Sequence, residues 1–124
     1  MRRQVQVWIR AGCIVVAILM AATLFFDAYE IGKVNFVPYV FHRLEHFFYY
    51  GGMAFLIACG LGRRWFWIVL LAVPLIGALD EWHQFYTPGR SSSVYDWLTD
   101  VLGTLVAVFL YYRATRVREG KVER

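Results

Sequence analysis

Sulfur chemistry is nearly absent from this chain. Its two cysteines, Cys13 and Cys59, stand far apart with neither CxxC nor Cys-His spacing, and a metal centre would need more ligands close by. They read as apolar fillers. Also missing are a Gly-rich phosphate loop, an HExxH pair and a GxSxG elbow, so nucleotide binding, one common zinc-hydrolase pattern and the α/β-hydrolase nucleophile find no support. There is no soluble segment to carry a basic nucleic-acid-binding face, no internal repeat and no low-complexity stretch.

What fills the chain instead is hydrocarbon. Of 124 residues, 60% are hydrophobic and 19% aromatic, more than a soluble domain of this size has interior to hide. A lipid-facing exterior accounts for them better. Four apolar stretches are helix-length: Trp8–Phe26, Leu44–Leu61, Trp65–Leu79 continuing toward Tyr86, and Trp97–Tyr112. A run of about 17 to 25 residues, rising about 1.5 Å each, crosses a hydrocarbon core, and these continuous runs do not resemble alternating barrel strands. The expected fold is therefore all-α, a single four-helix membrane domain over residues 1–124, with helices at about 8–26, 44–61, 65–86 and 96–112 and a basic tail at 113–124. The second and fourth runs are short and need their flanking polar residues to reach full span. Pro74 lies inside the third, where neighbouring helices tolerate a local break.

The first run, preceded by Arg2, Arg3 and Arg10, also has the outline of a cleavable export signal. It exceeds the usual length of about 7 to 15 apolar residues and has no small-x-small cleavage site before Asp27, so it is expected to stay. Orientation follows from the 13 lysines and arginines. Ten (Arg2, Arg3, Arg10, Arg63, Arg64, Arg113, Arg116, Arg118, Lys121, Arg124) fall on one side of a four-pass arrangement, and three (Lys33, Arg43, Arg90) on the other. Both termini are expected in the cytoplasm, with the 27–43 and 80–95 loops outside. The basic tail then reads as a stop-transfer anchor beside anionic lipid, with no nucleic-acid partner. Cys13 and Cys59 fall near the reducing side, which disfavours a disulfide. Trp8, Trp65 and Trp67 mark the inner belt with Tyr111 and Tyr112, and Trp82 and Trp97 the outer one.

The acids are distributed the opposite way. Asp27, Glu30, Glu45, Asp80, Glu81, Asp96 and Asp100 lie in the outer half, leaving Glu119 and Glu123 inside, although topology does not require it. Solvated loops account for Asp27 and Glu30. The others recur on helical faces at about 100° per residue: Asp96 and Asp100 with Gly103 and Ala107; His42, Glu45, His46 and Tyr49 with Tyr50 at the edge; Asp80, His83 and Gln84 with Glu81 to one side. Ionisable groups at membrane depth are costly unless they face protein, water or opposite charge. The expectation is a hydrated, outward-opening recess, or else a set of ion pairs and hydrogen bonds that staple helix ends.

These residues resemble the VanZ-like family of small bacterial membrane proteins. The resemblance spans about residues 40 to 108 and rests on Asp80, Glu81, Gln84, Pro88, Gly89, Arg90, Asp96 and Gly103, with a weaker half in Arg43, His46 and Tyr50. Here His42-Arg43 stands for an Asp-Lys pair, Asp100 for an asparagine and Ala107 for a second glycine. The resemblance implies a polytopic membrane protein; the family's namesake is associated with reduced susceptibility to teicoplanin.

The first expectation is recognition or processing of an envelope lipid or lipid-linked glycan by Arg43, His46, Tyr50, Asp80, Glu81, Gln84, Arg90, Ser91 and Asp96. An anionic or pyrophosphate-bearing lipid is the partner considered, because Arg90 and Ser91–Ser93 follow the Thr87-Pro88-Gly89 turn and offer a planar cation with hydroxyl donors. Arg90 could equally close a lock with Asp80, Glu81 or Asp96. A second expectation is hydrolase or transferase chemistry, with His46, Glu81, Asp96 and Asp100 as candidate acid and base groups. A third is proton-coupled transport, weakened by the lack of a lone acid mid-helix. No cofactor or resident metal is expected. Oligomerisation through the Gly103–Ala107 seam stays open.

Overall fold

The computed structural model describes residues 2–27, 39–88 and 92–122. Its elements are α1 (Arg2–Asp27), α2 (Tyr39–Leu61), a 3-10 turn (Arg63–Trp65), α3 (Phe66–Phe85) and α4 (Val94–Val122), with no strand among the described residues. All four helices contain a segment long and apolar enough to cross a membrane: Arg3–Leu24, Phe41–Leu61, Arg63–Phe85 and Val94–Arg116. The protein is an all-helical, multi-pass membrane protein.

Three element bounds differ from the sequence expectation for the same reason, the first being the start of α1 at Arg2, six residues before Trp8. α2 begins at Tyr39, five residues before the apolar run, and α4 continues through Val122, where a separate tail was expected. Hydrophobicity measures what lipid contacts, whereas backbone hydrogen bonding continues into polar sequence wherever no breaker intervenes. The breakers that do act are local. Gly62 adopts φ of 86°, a left-handed conformation that residues with a Cβ avoid, and its N–H bonds to Ala58 O at 2.8 Å to end α2. Arg10 completes that terminus, its Nε and Nη2 donating to Gly60 O (2.8 Å) and Leu61 O (2.6 Å). A guanidinium here satisfies two carbonyls left over at the negative end of the helix. α3 closes at Phe85, with Tyr86 N donating to His83 O and Thr87 N to Gln84 O.

Consecutive helices run antiparallel. Arg10 meets the end of α2 while Tyr49, midway along it, donates its hydroxyl to Met20 O, later in α1, and pairs with Thr23 Oγ1. The start of α1, the 3-10 turn and the end of α4 therefore share one end of the bundle, where Arg63 stacks over Tyr112 at 4.3 Å. α2 and α4 run parallel and touch backbone to backbone. A Cβ on Gly103 would overlap Phe47 O and lie 3.3 Å from Gly51 N, and one on Gly51 would lie 3.1 Å from Gly103 O. The small-residue seam expected on α4 thus packs within the chain, where close approach lets many weak contacts accumulate in a solvent that offers no hydrophobic drive. Below it the core holds Met53, Ala54, Ala58, Val69, Val73, Ala107 and Val108. Trp8, Ile18, Phe48, Leu71, Leu75, Phe85 and Phe109 remain exposed on the outside, as a lipid-facing surface requires. Cys13 and Cys59 are both free thiols.

Candidate functional site

At the other end of the bundle, buried stripes on α2, α3 and α4 turn from hydrocarbon to polar. On α2 the line His46, Tyr50, Ala54, Ala58 advances four residues at a time. On α4 the corresponding line is Asp96, Asp100, Thr104, Val108, and on α3 Val69, Val73, Gly77, Glu81, flanked by Asp80 and Gln84. One helical face therefore carries both core and polar cluster, because residues four apart overlie one another.

The cluster is closed. Relative exposure is 0% for Asp100, 2% for Asp80, 3% for Asp96 and Gln84, 6% for Glu81 and 8% for His46. These side chains converge as expected, but they are packed between helices; the expected open recess is not what surrounds them. The cause lies in two glycine contacts. Gly51 and Gly103 bring α2 against α4, and Gly77 brings α3 against α4, since a Cβ on Gly77 would sit 2.8 Å from Asp100 Oδ2.

The polar contacts cross the helix boundaries. His46 Nδ1 lies 2.9 Å from Asp100 Oδ1, linking α2 to α4. Tyr50 donates to Asp80 Oδ2 at 3.0 Å, linking α2 to α3, and Gln84 Nε2 donates to the same oxygen at 2.9 Å. Ser93 N, at the start of α4, donates to Glu81 Oε2 at 2.7 Å. Arg43 Nε approaches Asp96 Oδ1 at 3.5 Å, and its guanidinium lies 5.3 Å from the Tyr95 ring centre. The rings of His42, His46 and Tyr50 stack in sequence along α2, with centroids 4.7 and 5.8 Å apart. Coulombic interactions further link Glu81 with His46, Asp96 and Asp80, and Asp100 with Glu81 and Asp80. Four carboxylate oxygens in this set, Asp80 Oδ1, Glu81 Oε1, Asp96 Oδ1 and Asp100 Oδ2, are buried without a hydrogen-bond partner among the described residues, Asp96 Oδ1 having the 3.5 Å approach of Arg43 Nε.

Of the sequence candidates, Arg43, His46, Tyr50, Asp80, Glu81, Gln84, Asp96 and Asp100 fall in this one cluster. Arg90 and Ser91 lie outside the described residues, as do Glu30 and Gly89. Three residues assigned to the polar faces stand elsewhere: Glu45 and His83 are exposed, and Tyr49 serves the α1–α2 contact. An arc drawn at 100° per residue is broader than the four-residue stripe that close packing buries. Trp97 also departs from its expected outer belt, being half-buried with Nε1 donating to Pro74 O at 2.9 Å.

Sequence reasoning missed Gly77 and the Pro74–Trp97 bond. A glycine four residues before the Glu81 position was visible, but nothing in one sequence says which side chain fills the space it leaves. His42-Arg43-Leu44-Glu45-His46 also carries the H-x-x-E-H spacing of a zinc-peptidase helix. Glu45 is exposed, the two imidazoles stack on each other, and no group of three His, Cys, Asp or Glu side chains among the described residues is arranged to hold a metal ion.

Compared with curated proteins and with solved structures, the chain finds no match in either set. A family model described as VanZ/LLP1 matches residues 12–116, taking in α2, α3, the polar cluster and most of α1 and α4, and the chain belongs to that family.

Proposed function

We propose that this protein works at the bacterial cell envelope, recognising or processing an envelope lipid or lipid-linked glycan at the polar end of α2, α3 and α4. The observation that carries this reading is the set of four buried carboxylate oxygens, on Asp80, Glu81, Asp96 and Asp100, without a hydrogen-bond partner among the described residues. A set of staples explains His46–Asp100 or Tyr50–Asp80, whose partners are made for each other. It does not explain buried acid oxygens that accept no hydrogen bond from the described residues, each of which costs about 1 to 3 kcal/mol. A site that awaits a ligand does explain them.

The basic residues support an inner-membrane setting with both termini in the cytoplasm and the polar end facing outward, since Arg10, Arg63 and Arg64 gather at the opposite end. Arg90 and Ser91 enter this reading from sequence, as a planar cation and a hydroxyl following a tight turn. The family's name motivates the assay. Expression of the full chain in a susceptible bacterium is expected to raise the teicoplanin concentration needed for inhibition, and Asp100→Asn and Arg90→Lys, at wild-type abundance in the membrane, are expected to lose that effect. Variants that protect as well as wild type would remove both the site and bidentate recognition by Arg90.

One observation favours a second reading, a hydrolase or transferase. Asp100 contacts His46 at Nδ1, and the neutral tautomer that donates from Nδ1 has Nε2 as proton acceptor, with Glu81 and Asp96 as further acid or base groups. Turnover of a lipid phosphate by purified wild type, abolished by His46→Ala, would establish it; no turnover with a metal content unaffected by His46→Ala would end it. Proton-coupled transport gains no such support, because the buried acids Asp80, Glu81, Asp96 and Asp100 gather at one end of the bundle.

A further inference from the structure

The four buried acids are not equivalent. On α4, Asp96 has Arg43 at 3.5 Å and Asp100 has His46 at 2.9 Å, so each faces a basic side chain of α2. On α3, Asp80 accepts from Tyr50 and Gln84 and Glu81 from the backbone N–H of Ser93, and neither forms an ion pair among the described residues, His46 acting on Glu81 only at longer range. Asp80 and Glu81 are consecutive in sequence, 2% and 6% exposed, and each keeps one oxygen without a partner. Among the described residues, the α3 pair is thus buried acid without an ion pair, whereas both α4 acids have one.

Resting on the lipid-site reading above, we propose that the headgroup taken at this end of the bundle presents a primary ammonium to Asp80 and Glu81. An ammonium brings one positive charge and three N–H donors, matching what the two free oxygens lack. A phosphate brings acceptors and negative charge, which would meet two carboxylates in a medium that screens poorly. The α3 acids therefore select against a headgroup that is only a phosphate or pyrophosphate. A lipid carrying both groups would place its amine deep and its phosphate toward the membrane surface.

The test uses the full chain purified in a nonionic detergent, with tryptophan fluorescence as readout and three probes of one tail length, dodecylamine, dodecyl phosphate and dodecanol, at neutral pH. Dodecylamine is expected to bind more tightly than dodecyl phosphate by about tenfold or more, the difference one charge-assisted hydrogen bond contributes. Asp80→Asn combined with Glu81→Gln is expected to erase that preference, while Glu45→Gln, an exposed acid outside the cluster, keeps it. If the double variant does not fold, Glu81→Gln alone carries the comparison. Phosphate binding as tightly as amine, or a preference that survives the double variant or falls equally in Glu45→Gln, overturns the ammonium assignment. Phosphate binding that depends on the cluster would do so while leaving the lipid-site reading intact; binding of all three probes that no cluster variant changes would sink both. Competition against dodecylamine by phosphatidylethanolamine or by glucosamine then distinguishes a phospholipid amine from a glycan amine, and failure of both to compete overturns the assignment to an amine headgroup.

Discussion

At one end of the α2–α3–α4 bundle the helices meet through Met53, Ala54, Ala58, Val69, Val73, Ala107 and Val108; at the other they meet through His46, Tyr50, Asp80, Glu81, Gln84, Asp96 and Asp100. Both ends are equally buried and belong to the same helical faces, so packing geometry does not separate them. What differs is the cost of the contents. Hydrocarbon inside a membrane bundle leaves one apolar medium for another and gains mainly van der Waals contact. Carboxylates inside it surrender water, and the interhelical hydrogen bonds formed in exchange average only about 0.6 kcal/mol. The apolar end is thus explained by assembly alone. The polar end contributes little to assembly for what its desolvation costs, and that imbalance points to a role other than holding helices together.

The strongest way to break the comparison is to remove the contact both ends depend on. Gly103→Val sets a branched side chain against Phe47 O and Gly51, so α2 and α4 must separate along their length. A loss of about 3 kcal/mol is expected, read as a lowered unfolding temperature in lipid or detergent. An unchanged transition would mean that backbone contact does not set the helix spacing. Gly77→Ala comes next, at about 1 to 2 kcal/mol, because its Cβ meets only one side chain, the Asp100 carboxylate. It should also loosen the 2.9 Å His46–Asp100 contact, so imidazole nitrogen NMR is expected to lose the signature of a hydrogen-bonded Nδ1. Retention of that signature would show that Gly77 does not position Asp100.

These two glycines also mark the limit of what the sequence made legible. Four spanning helices, and the gathering of His46, Asp80, Glu81, Asp96 and Asp100, followed from apolar run length and from the cost of charge at membrane depth. Both are properties of a single helix against its solvent. Gly77 beneath Asp100 and Pro74 O accepting from Trp97 are properties of two helices in a particular register, which one sequence does not encode locally. The same gap explains Trp97: an indole near a helix end suits the headgroup belt by default, until a neighbouring carbonyl offers it a partner. Tyr49 and His83 erred for a related reason. They share a polar sector with cluster residues, but Tyr49 is taken up by α1 and His83 lies exposed beyond the helix contacts.

At the apolar end, Val73→Ala tests whether assembly is that end's only role. Loss of a fully buried pair of methyl groups is expected to lower stability by about 1 kcal/mol and to leave envelope phenotype and amine preference unchanged once expression is matched. A specific change in either would place function in the core as well.

The smallest expected effect on stability is the sharpest probe of the polar end. Tyr50→Phe removes one hydroxyl, leaves the ring stacked on His46, and leaves Gln84 still donating to Asp80 Oδ2. With one donor retained on that oxygen and no volume lost beyond the hydroxyl, stability should fall by about 0.6 kcal/mol, close to the resolution of an unfolding curve. If Asp80 is only a staple, function should follow stability and barely move. If Asp80 is held in place to receive a ligand, losing the donor that ties it to α2 frees its carboxylate, and amine binding should weaken several-fold at nearly constant unfolding temperature. A Tyr50→Phe protein with unaltered amine binding would assign that hydroxyl to assembly, and with it the contact that most directly joins α2 to the α3 acids.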